Sequence, residues 1–314
     1  MIHSVKVTNY MGDSLEMPLT WPNASGLLIS KIDGISPGNV QVNSQDFALL
    51  DGGVYNSSRM ETRNVTIEFY YGRGKQVEDS ANFDVETSRH IAYRYFPIKT
   101  KVRLDFYTDE RRLCLYGYVE SNDTQIFSER EKGQVSIVCP DPYFYEQSTV
   151  SYIMGSSTKE FEFPWSNESL DEPLICFGDY GPRALYEVNY QGDIEVGAVI
   201  RVHFRKIPTV PSITIFDVTH NKKLVLDFEK IKSDTKVDII SQYSDIVFDS
   251  VRGEKDIYYE RYGERTSIIG AFDVMNFPWL YLTPGENLFG YDAEQQYLDE
   301  FEITIEHTGA YGGV

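Results

Sequence analysis

Apolar and polar residues alternate with a period of two in several short segments of the chain. The apolar positions of four such segments are residues 65, 67 and 69, residues 102, 104 and 106, residues 200, 202 and 204, and residues 301, 303 and 305. This pattern predicts strands with one buried and one solvent-exposed face, which is typical of antiparallel sheets. The residues between them, including Asp105 and Thr304, are predicted to face solvent.

One segment departs from this alternation and predicts a short helix over residues 84–95. Asp84 is a suitable N-cap, and Pro97 stops the helix. Val85, Ala92 and Tyr95 share one face, so we expect the helix to pack on a sheet. Elsewhere, turn signals at Asp33-Gly34, Asp51-Gly52-Gly53 and Tyr262-Gly263 separate the predicted strands.

The length of 314 residues accommodates two domains. The best boundary is Cys139-Pro140-Asp141-Pro142, because two prolines end a strand and stiffen the chain after it. The sequence predicts a β domain over residues 1–142 with the single helix, a linker with connecting strands over 143–180, and a second β domain over 181–314. The predicted fold class is mostly β, with an N-terminal antiparallel β-sandwich and a C-terminal β-sandwich.

The charge balance argues against a nucleic-acid-binding protein. The formal net charge is −19. Residues 1–150 carry 15 Lys and Arg against 20 Asp and Glu, a net charge of −5, and residues 151–314 carry 14 against 28, a net charge of −14. Binding a nucleic-acid backbone requires clustered positive charge, which neither half supplies. The 23 Tyr and 18 Phe instead favour β structure and contact surfaces.

The sequence gives few indications of the cellular compartment in which the protein is made. No apolar run approaches the ~20 residues of a bilayer span, and residues 1–6 do not resemble a secretory signal. Cys114, Cys139 and Cys176 lack metal-ligand spacing, which favours reduced, buried thiols in a protein made in a cytoplasm.

The search for catalytic motifs predicts that the chain is not an enzyme and holds no cofactor. It identifies no metal-ligating residues, and a metal ion among the many carboxylates stays open. The chain contains no Gly-x-Ser-x-Gly elbow, no phosphate-binding Gly-rich loop and no His-Glu-x-x-His helix. The five histidines are scattered, and residues 72–75 predict a loop tip rather than a phosphate site. Composition does not exclude a pair of carboxylates suited to glycoside hydrolysis, because among 48 acidic residues some pair always fits.

Two aromatic tracts are candidate binding sites. The first contains Tyr258, Tyr259, Arg261 and Tyr262 beside a glycine turn, which suits stacking on sugars or anchoring a protein contact. The same tyrosines also fit cross-strand packing pairs. In the second tract, residues 279–287, the indole of Trp279 is either part of the core or a ligand platform.

Several strings resemble the distal tail proteins of siphophages, the bacteriophages with long non-contractile tails. In the N-terminal half they are Ile32-Asp33-Gly34, Asp51-Gly52-Gly53, Arg63-Asn64-Val65-Thr66-Ile67, Tyr95-Phe96-Pro97, Gly117-Tyr118-Val119-Glu120 and Cys139-Pro140-Asp141-Pro142-Tyr143-Phe144. In the C-terminal half they are residues 282–287, Leu-Thr-Pro-Gly-Glu-Asn, and residues 311–314, Tyr-Gly-Gly-Val. Each string alone is weak, but together they follow the family's order over nearly the whole chain.

The resemblance implies a structural hub protein of the tail tip in the virion. Such proteins form a hexameric ring, sometimes as two stacked rings, between the tail tube protein and the tail-tip protein, and DNA passes through it. Their second domain is a galectin-like, jelly-roll-type β-sandwich that projects outward and carries receptor-binding or accessory adhesion proteins. The resemblance carries over no catalytic residues, and it implies synthesis in the cytoplasm of a bacterial host without membrane insertion.

For ring contacts, the candidate segment is the loop 72–83 with the helix 84–95. Its candidate residues are Gly72, Arg73, Lys75, Arg89 and Arg94. The segment equally fits a surface loop over a helix that covers its own sheet. The overall acidity predicts a negative inner wall of the ring that repels phosphates and lets DNA pass without binding. The alternative function is direct carbohydrate binding in host-surface attachment through the C-terminal sandwich.

Overall fold

The computed structural model consists mainly of antiparallel β strands. It describes residues 1–20, 25–47, 51–72, 74–75, 82–125, 131–154, 156–158, 179–181, 185–237 and 240–314. The chain folds into two compact units. Unit 1 comprises Met1–Gln147 with Ala310–Val314, and unit 2 comprises Ser148–Gly309. The first crossing from unit 1 to unit 2 lies five positions after the predicted boundary at 142, and the last five residues return to unit 1.

The first part of the chain contains one helix and twelve strands in the described residues. In chain order they are β1 Ile2–Thr8, β2 Ser14–Pro18, β3 Leu27–Asp33, β4 Val40–Asp46, β5 Gly53–Met60, β6 Arg63–Tyr71, β7 Gly74–Lys75, β8 Asn82–Phe83, α1 Val85–Tyr95, β9 Lys101–Thr108, β10 Arg112–Gln125, β11 Lys132–Cys139 and β12 Phe144–Met154.

Unit 1 is an antiparallel β-sandwich linked through the long strand β10. One sheet runs β2-β1-β9-β10, and β10 also pairs with β11, which continues to β6 and β3. The register of β10 shifts between Val119 and Ser121, so the strand carries a bulge there. Apolar side chains from both sheets form one core that includes Val65, Ile67, Phe69, Val102, Leu104 and Phe106. The predicted alternation in these two segments is confirmed.

Helix α1 begins and ends where the sequence predicts. The carboxylate of Asp84 accepts a hydrogen bond from the backbone N–H of Thr87 at 2.6 Å. Ala92 is fully buried, and the ring of Phe96 stacks on that of Phe69 with centroids 6.4 Å apart. The helix is therefore held by packing on the core of unit 1.

The remaining elements follow from residue 156. They are β13 Ser156–Thr158, β14 Asp179–Gly181, β15 Tyr186–Tyr190, β16 Val196–Gly197, β17 Val199–Phe204, β18 Ser212–Asp217, β19 Lys222–Asp227, α2 Phe228–Asp234, β20 Ser244–Asp249, β21 Asp256–Arg261, β22 Glu264–Ser267, β23 Tyr281–Leu282, β24 Gly285–Asp292 and β25 Phe301–Tyr311, with short 3₁₀ helices at Ile269–Ala271 and Gln295–Tyr297.

Unit 2 packs two antiparallel sheets over one core. One sheet runs β25-β17-β20-β21-β22, and the other runs β15-β24-β18-β19. Their inward side chains share a core that includes Val202, Phe204, Ile215, Phe289 and Ile303. Alternation at 200–204 and 301–305 is confirmed, and so is the mostly β fold class. The galectin-like character of this sandwich stays a prediction.

Two residues predicted to face solvent are buried. Asp105 is 3% exposed and Thr304 is 9% exposed. Both lie on the outward face of their sheets, where Thr304 pairs with Arg201 and Asp105 lies against two long side chains. The carboxylate of Asp105 accepts hydrogen bonds from Arg103 Nε at 2.7 Å and Gln147 Nε2 at 2.9 Å. Period-two alternation identifies the face on which a side chain lies, but not whether its neighbours cover it.

The segment 143–180 is only partly covered by the structure. Residues 144–154 form the 11-residue strand β12, which is longer than the connecting strands expected of a linker. Residues 159–178, with Cys176, lie outside the described residues.

Candidate interaction surfaces

A hairpin of β4 and β5 is almost wholly exposed. Every residue of β4 and all of β5 except Met60 are exposed. The strands pair from Val40↔Met60 to Asp46↔Gly53, and neither pairs with another strand in the described part of the chain. Within the described residues, therefore, neither face of this two-stranded sheet is covered by another part of the chain.

The hairpin region nonetheless presents large apolar side chains to solvent. They are Val40, Val42, Phe47, Val54 and Tyr55, and Tyr55 is 61% exposed. A two-stranded hairpin alone is marginally stable in water. Apolar side chains gathered on such an exposed element are typical of a contact surface.

Of the loop 72–83, which is predicted to make ring contacts, the structure describes only residues 72, 74–75 and 82–83. Gly72 is buried, and its N–H donates to the carbonyl oxygen of Gly26 at 2.8 Å. Arg73 lies outside the described residues, and Lys75 is described only as backbone of the two-residue strand β7. This part of the ring prediction stays a prediction.

The two predicted helix arginines differ in their surroundings. Arg94 Nη2 lies 2.8 Å from the carboxylate of Asp13, and its guanidinium lies 5.7 Å from the ring centroid of Tyr95. Arg89 is half-buried, and its Nε has no hydrogen-bond partner among the described residues. Arg94 is thus committed to its own unit, whereas Arg89 retains a donor.

The tyrosine tract of unit 2 is divided between core and surface. Tyr258 and Tyr259 are buried, and the hydroxyl of Tyr259 accepts a hydrogen bond from the Ser241 N–H at 3.2 Å. Tyr262 is 82% exposed at the tip of the β21–β22 hairpin, with the guanidinium of Arg261 4.9 Å from its ring centroid. Tyr262 and Gly263 have φ of 51° and 82°, as a type I′ turn requires. Of the three tyrosines, only Tyr262 offers a ring to a partner.

The side chains of Trp279 and Asn287, in the second aromatic tract, contact residues of their own unit. Trp279 is half-buried, with the ring of Phe277 4.7 Å away and Lys255 Nζ 5.3 Å from its centroid. Asn287 is fully buried and closes the following turn. Its amide donates to the carbonyl of Thr283 at 2.7 Å and that of Gly285 at 3.0 Å, and its oxygen accepts from the Thr283 N–H at 3.0 Å.

Several of the distal-tail-like strings meet at the side chain of Arg63, which is 4% exposed. The guanidinium donates to the carbonyl oxygens of Pro142 at 2.7 Å, Ser36 at 2.6 Å and Gly312 at 2.6 Å, and also to that of Gly34. It lies 4.6 Å from the ring centroid of Phe144. Burial lowers the pKa of this guanidinium from its ordinary value. Strings distant in sequence therefore form one site inside unit 1.

No metal centre is evident in the part of the chain that the structure describes, where no three His, Cys, Asp or Glu residues are placed to share an ion. Within the same residues, no helix has the length and apolar character needed to cross a membrane.

Comparison with solved structures identifies the fold. The chain superposes on the Dit protein of phage SPP1, described as a paradigm of the hub adsorption apparatus of phages that infect Gram-positive bacteria, with a TM-score of 0.61 and 16% identity over 98% of each chain. The chain has the fold of a phage Dit protein. Two structures of the phage P2 baseplate in its activated conformation, with Ca and with Sr, give TM-scores of 0.48 and 0.47 at 10% identity, covering 98% and 97% of both chains respectively. No family profile and no curated protein matches this sequence.

The Dit fold covers both units rather than one. Because the match extends over 98% of each chain, the structural likeness includes both units. At 16% identity, the residues that fill the Dit fold here are largely this chain's own.

Proposed function

We propose that this protein is a Dit-type distal tail protein, a structural hub of a phage tail tip. It forms a hexameric ring that joins the tail tube protein to the tail-tip protein, lets DNA pass and carries host-adhesion components. The observation that carries this proposal is the Dit fold over 98% of the chain, together with the distal-tail-like strings that meet at Arg63. The protein is thus a component of the virion.

The β4–β5 hairpin supports self-assembly. Its apolar side chains, among them Val42 and Tyr55, need a cover that the described part of the chain does not provide. In a ring of identical subunits, each copy contributes two different faces, and one copy's hairpin packs on its neighbour. The neighbouring copy is therefore the proposed cover, and the loop 72–83 with Arg89 stays a second candidate contact.

Unit 2 is the proposed carrier of adhesion proteins. Direct sugar binding through the tyrosine tract has weaker support, because Tyr258 and Tyr259 are buried and cannot stack on a ligand. Tyr262 at the hairpin tip remains as a protein anchor. The proposed role is structural and requires no catalytic group.

Localisation on tails tests this function. In a phage preparation that contains the protein, gold-labelled antibodies against the chain should mark one end of each tail. Label along the whole tail, on the capsid or absent from assembled particles would contradict a tail-tip hub. Antibodies against the tube protein of the same preparation serve as a control, because they should mark the tail along its length.

A further inference from the structure

One outward sheet face of unit 1 is basic and rich in tyrosine, although the protein carries a net charge of −19. Strand pairing places Lys6 beside Asp105, Arg103 beside Tyr116, and Lys101 beside Tyr118. We call this surface the basic face. Its side chains are Lys6 of β1, Lys101, Arg103, Asp105 and Tyr107 of β9, and Arg112, Tyr116 and Tyr118 of β10.

The cations on the basic face lie against its tyrosine rings. Lys101 Nζ lies 4.9 Å from the ring centroid of Tyr116, and the guanidinium of Arg103 lies 5.9 Å from the same centroid. Arg112 lies 5.9 Å from the ring centroid of Tyr107. These contacts preorganise the long side chains, which lowers the entropy lost when a partner binds.

Most of this positive charge is not neutralised within the unit. Arg103 pairs with the buried Asp105 at 2.7 Å. Lys6, Lys101 and Arg112 form no ion pair among the described residues, although Glu16 lies opposite Lys6 in the β1–β2 pairing. Arginine and tyrosine together are typical of the central residues of protein interfaces.

Unit 2 has an outward face of opposite character, on the sheet of β15, β24, β18 and β19. Glu187 pairs with Leu288, and Asp292 with Thr214, so these side chains share one side of the sheet. We call it the acidic face. It comprises Glu187 and Asn189 of β15, Glu286, Leu288 and Asp292 of β24, Thr214 and Phe216 of β18, and Lys223, Val225 and Asp227 of β19.

The carboxylates of the acidic face are free to pair with cations of a partner, unlike the carboxylates of the other sheet of unit 2. On the outward side of β17 and β20, Arg201 contacts Asp245 at 2.9 Å and Glu260 at 3.3 Å, so those carboxylates are neutralised. Glu187 and Glu286, by contrast, are exposed and have no ion pair among the described residues. Half-buried Phe216 and Leu288 add an apolar centre to the acidic face.

We propose that the basic face of one copy docks on the acidic face of a second copy. This inference rests on the self-assembly proposed above. It adds a second contact between copies, besides the one made by the β4–β5 hairpin. The two faces differ, so the contact is heterologous and joins subunits head to tail, as a ring requires. Complementary charge sets the orientation and excludes like faces from pairing.

A nucleic acid is the weaker candidate for the basic face. Glu16 lies opposite Lys6, so the face holds four cations against the carboxylates of Glu16 and Asp105, and the chain as a whole repels phosphates.

Charge reversal followed by mixing tests the pairing of the two faces. Lys101→Glu with Arg112→Glu reverses the basic face, and Glu187→Lys with Glu286→Lys reverses the acidic face. Each double variant alone should raise the dissociation constant of self-association by at least about tenfold, measured by sedimentation, because like charges then meet. An equimolar mixture should regain wild-type affinity, because every contact between different variants again joins opposite charges.

The matched control is Lys232→Glu with Lys236→Glu, which makes the same charge change on exposed residues outside both faces and should leave the constant unchanged. Far-ultraviolet circular dichroism and melting confirm folding. Lys101→Gln with Arg112→Gln replaces the reversed basic-face variant if that variant does not fold, and Glu187→Gln with Glu286→Gln does the same for the acidic face.

Three outcomes would overturn the pairing. They are unchanged affinity in either double variant, no recovery on mixing, or retention of a short duplex DNA by the wild type that is lost in the basic-face variant. Wild-type association that is lost with Val42→Ser and Tyr55→Ser but not with charge reversal would leave the ring proposal standing without this contact. A wild-type protein that remains monomeric would count against both the ring proposal and the contact between the basic and acidic faces.

Discussion

Arg63 Nη2 donates a hydrogen bond to the carbonyl oxygen of Gly312 at 2.6 Å, although the two residues lie 249 positions apart. The same guanidinium satisfies the carbonyls of Pro142 and Ser36. A buried charge costs stability unless its hydrogen bonds are made, and here all the acceptors are backbone oxygens. Arg63 therefore holds the last residues of the chain in unit 1.

Replacing Arg63 should destabilise unit 1 strongly. Arg63→Lys cannot reach all four carbonyls with one ammonium, so we expect the free energy of unfolding to fall by about 3 kcal/mol. Arg59→Lys is the control, because Arg59 is exposed and makes one side-chain bond, to Gln41 at 2.9 Å. Its effect should stay below about 0.5 kcal/mol in denaturant titrations. Equal effects of the two substitutions would contradict the role of Arg63.

Gly34 should tolerate no side chain. It has φ of 82°, and a Cβ there would lie 2.1 Å from the carbonyl oxygen of Asn64. Gly52 has a similar φ of 91° but no atom within 4 Å of such a Cβ. Gly52→Ala should therefore cost only about 1 kcal/mol, from the backbone conformation. Gly34→Ala should cost clearly more, and a thermal melt that ranks the two in reverse would show that the contact is not rigid.

Asn287 should be required for the stability of unit 2. Asn287→Ala removes its bonds to Thr283 and Gly285 and leaves the part-buried backbone groups of these two residues without that partner. We expect a loss of about 2 kcal/mol, detected as faster hydrogen exchange across β24. Asn189→Ala is the control, because Asn189 is exposed on the neighbouring strand β15. Protection of β24 that survives Asn287→Ala would refute this account of the turn.

The buried thiols should make the protein sensitive to high pH. Burial raises the pKa of Cys139 from 9.0 to about 12. The unfolded chain loses this proton near pH 9 while the folded chain keeps it, so the stabilising contribution is complete below pH 9 and lost between pH 9 and 12.

In a chain carrying Cys176→Ser, a thiol reagent at about pH 8 should therefore label neither Cys114 nor Cys139 until denaturant is added. Rapid labelling of the folded protein would contradict the burial of these thiols.

The sequence was sufficient where one local rule decides the structure. Alternation located strands with one buried face, such as β6 and β17, and the cap at Asp84 located the start of α1. The β4–β5 hairpin was missed because both of its faces are exposed, so its apolar residues do not mark a buried side. Its turn, Asp51-Gly52-Gly53, was the only signal that could have indicated it.

Other features could not be predicted because they depend on long-range pairing. The burial of Arg63 could not be predicted, because two of its acceptors, Ser36 and Gly312, lie 27 and 249 positions away. The basic face likewise exists only once β9 brings Lys101 and Arg103 beside residues of β1 and β10. The burial of Tyr258 follows from the cover that Arg265 provides, with its guanidinium 4.6 Å from the ring centroid.

The most direct test of the central claim is the solution mass of the purified wild-type protein, measured by light scattering over a range of concentrations. The account predicts a mass of six chains, or twelve if two rings stack. Val42→Ser with Tyr55→Ser should lower the mass toward one chain while the far-ultraviolet circular dichroism remains that of the folded protein. Tyr262→Ser with Met275→Ser in unit 2 should leave the mass unchanged. A wild-type mass of one chain at every concentration would contradict self-assembly.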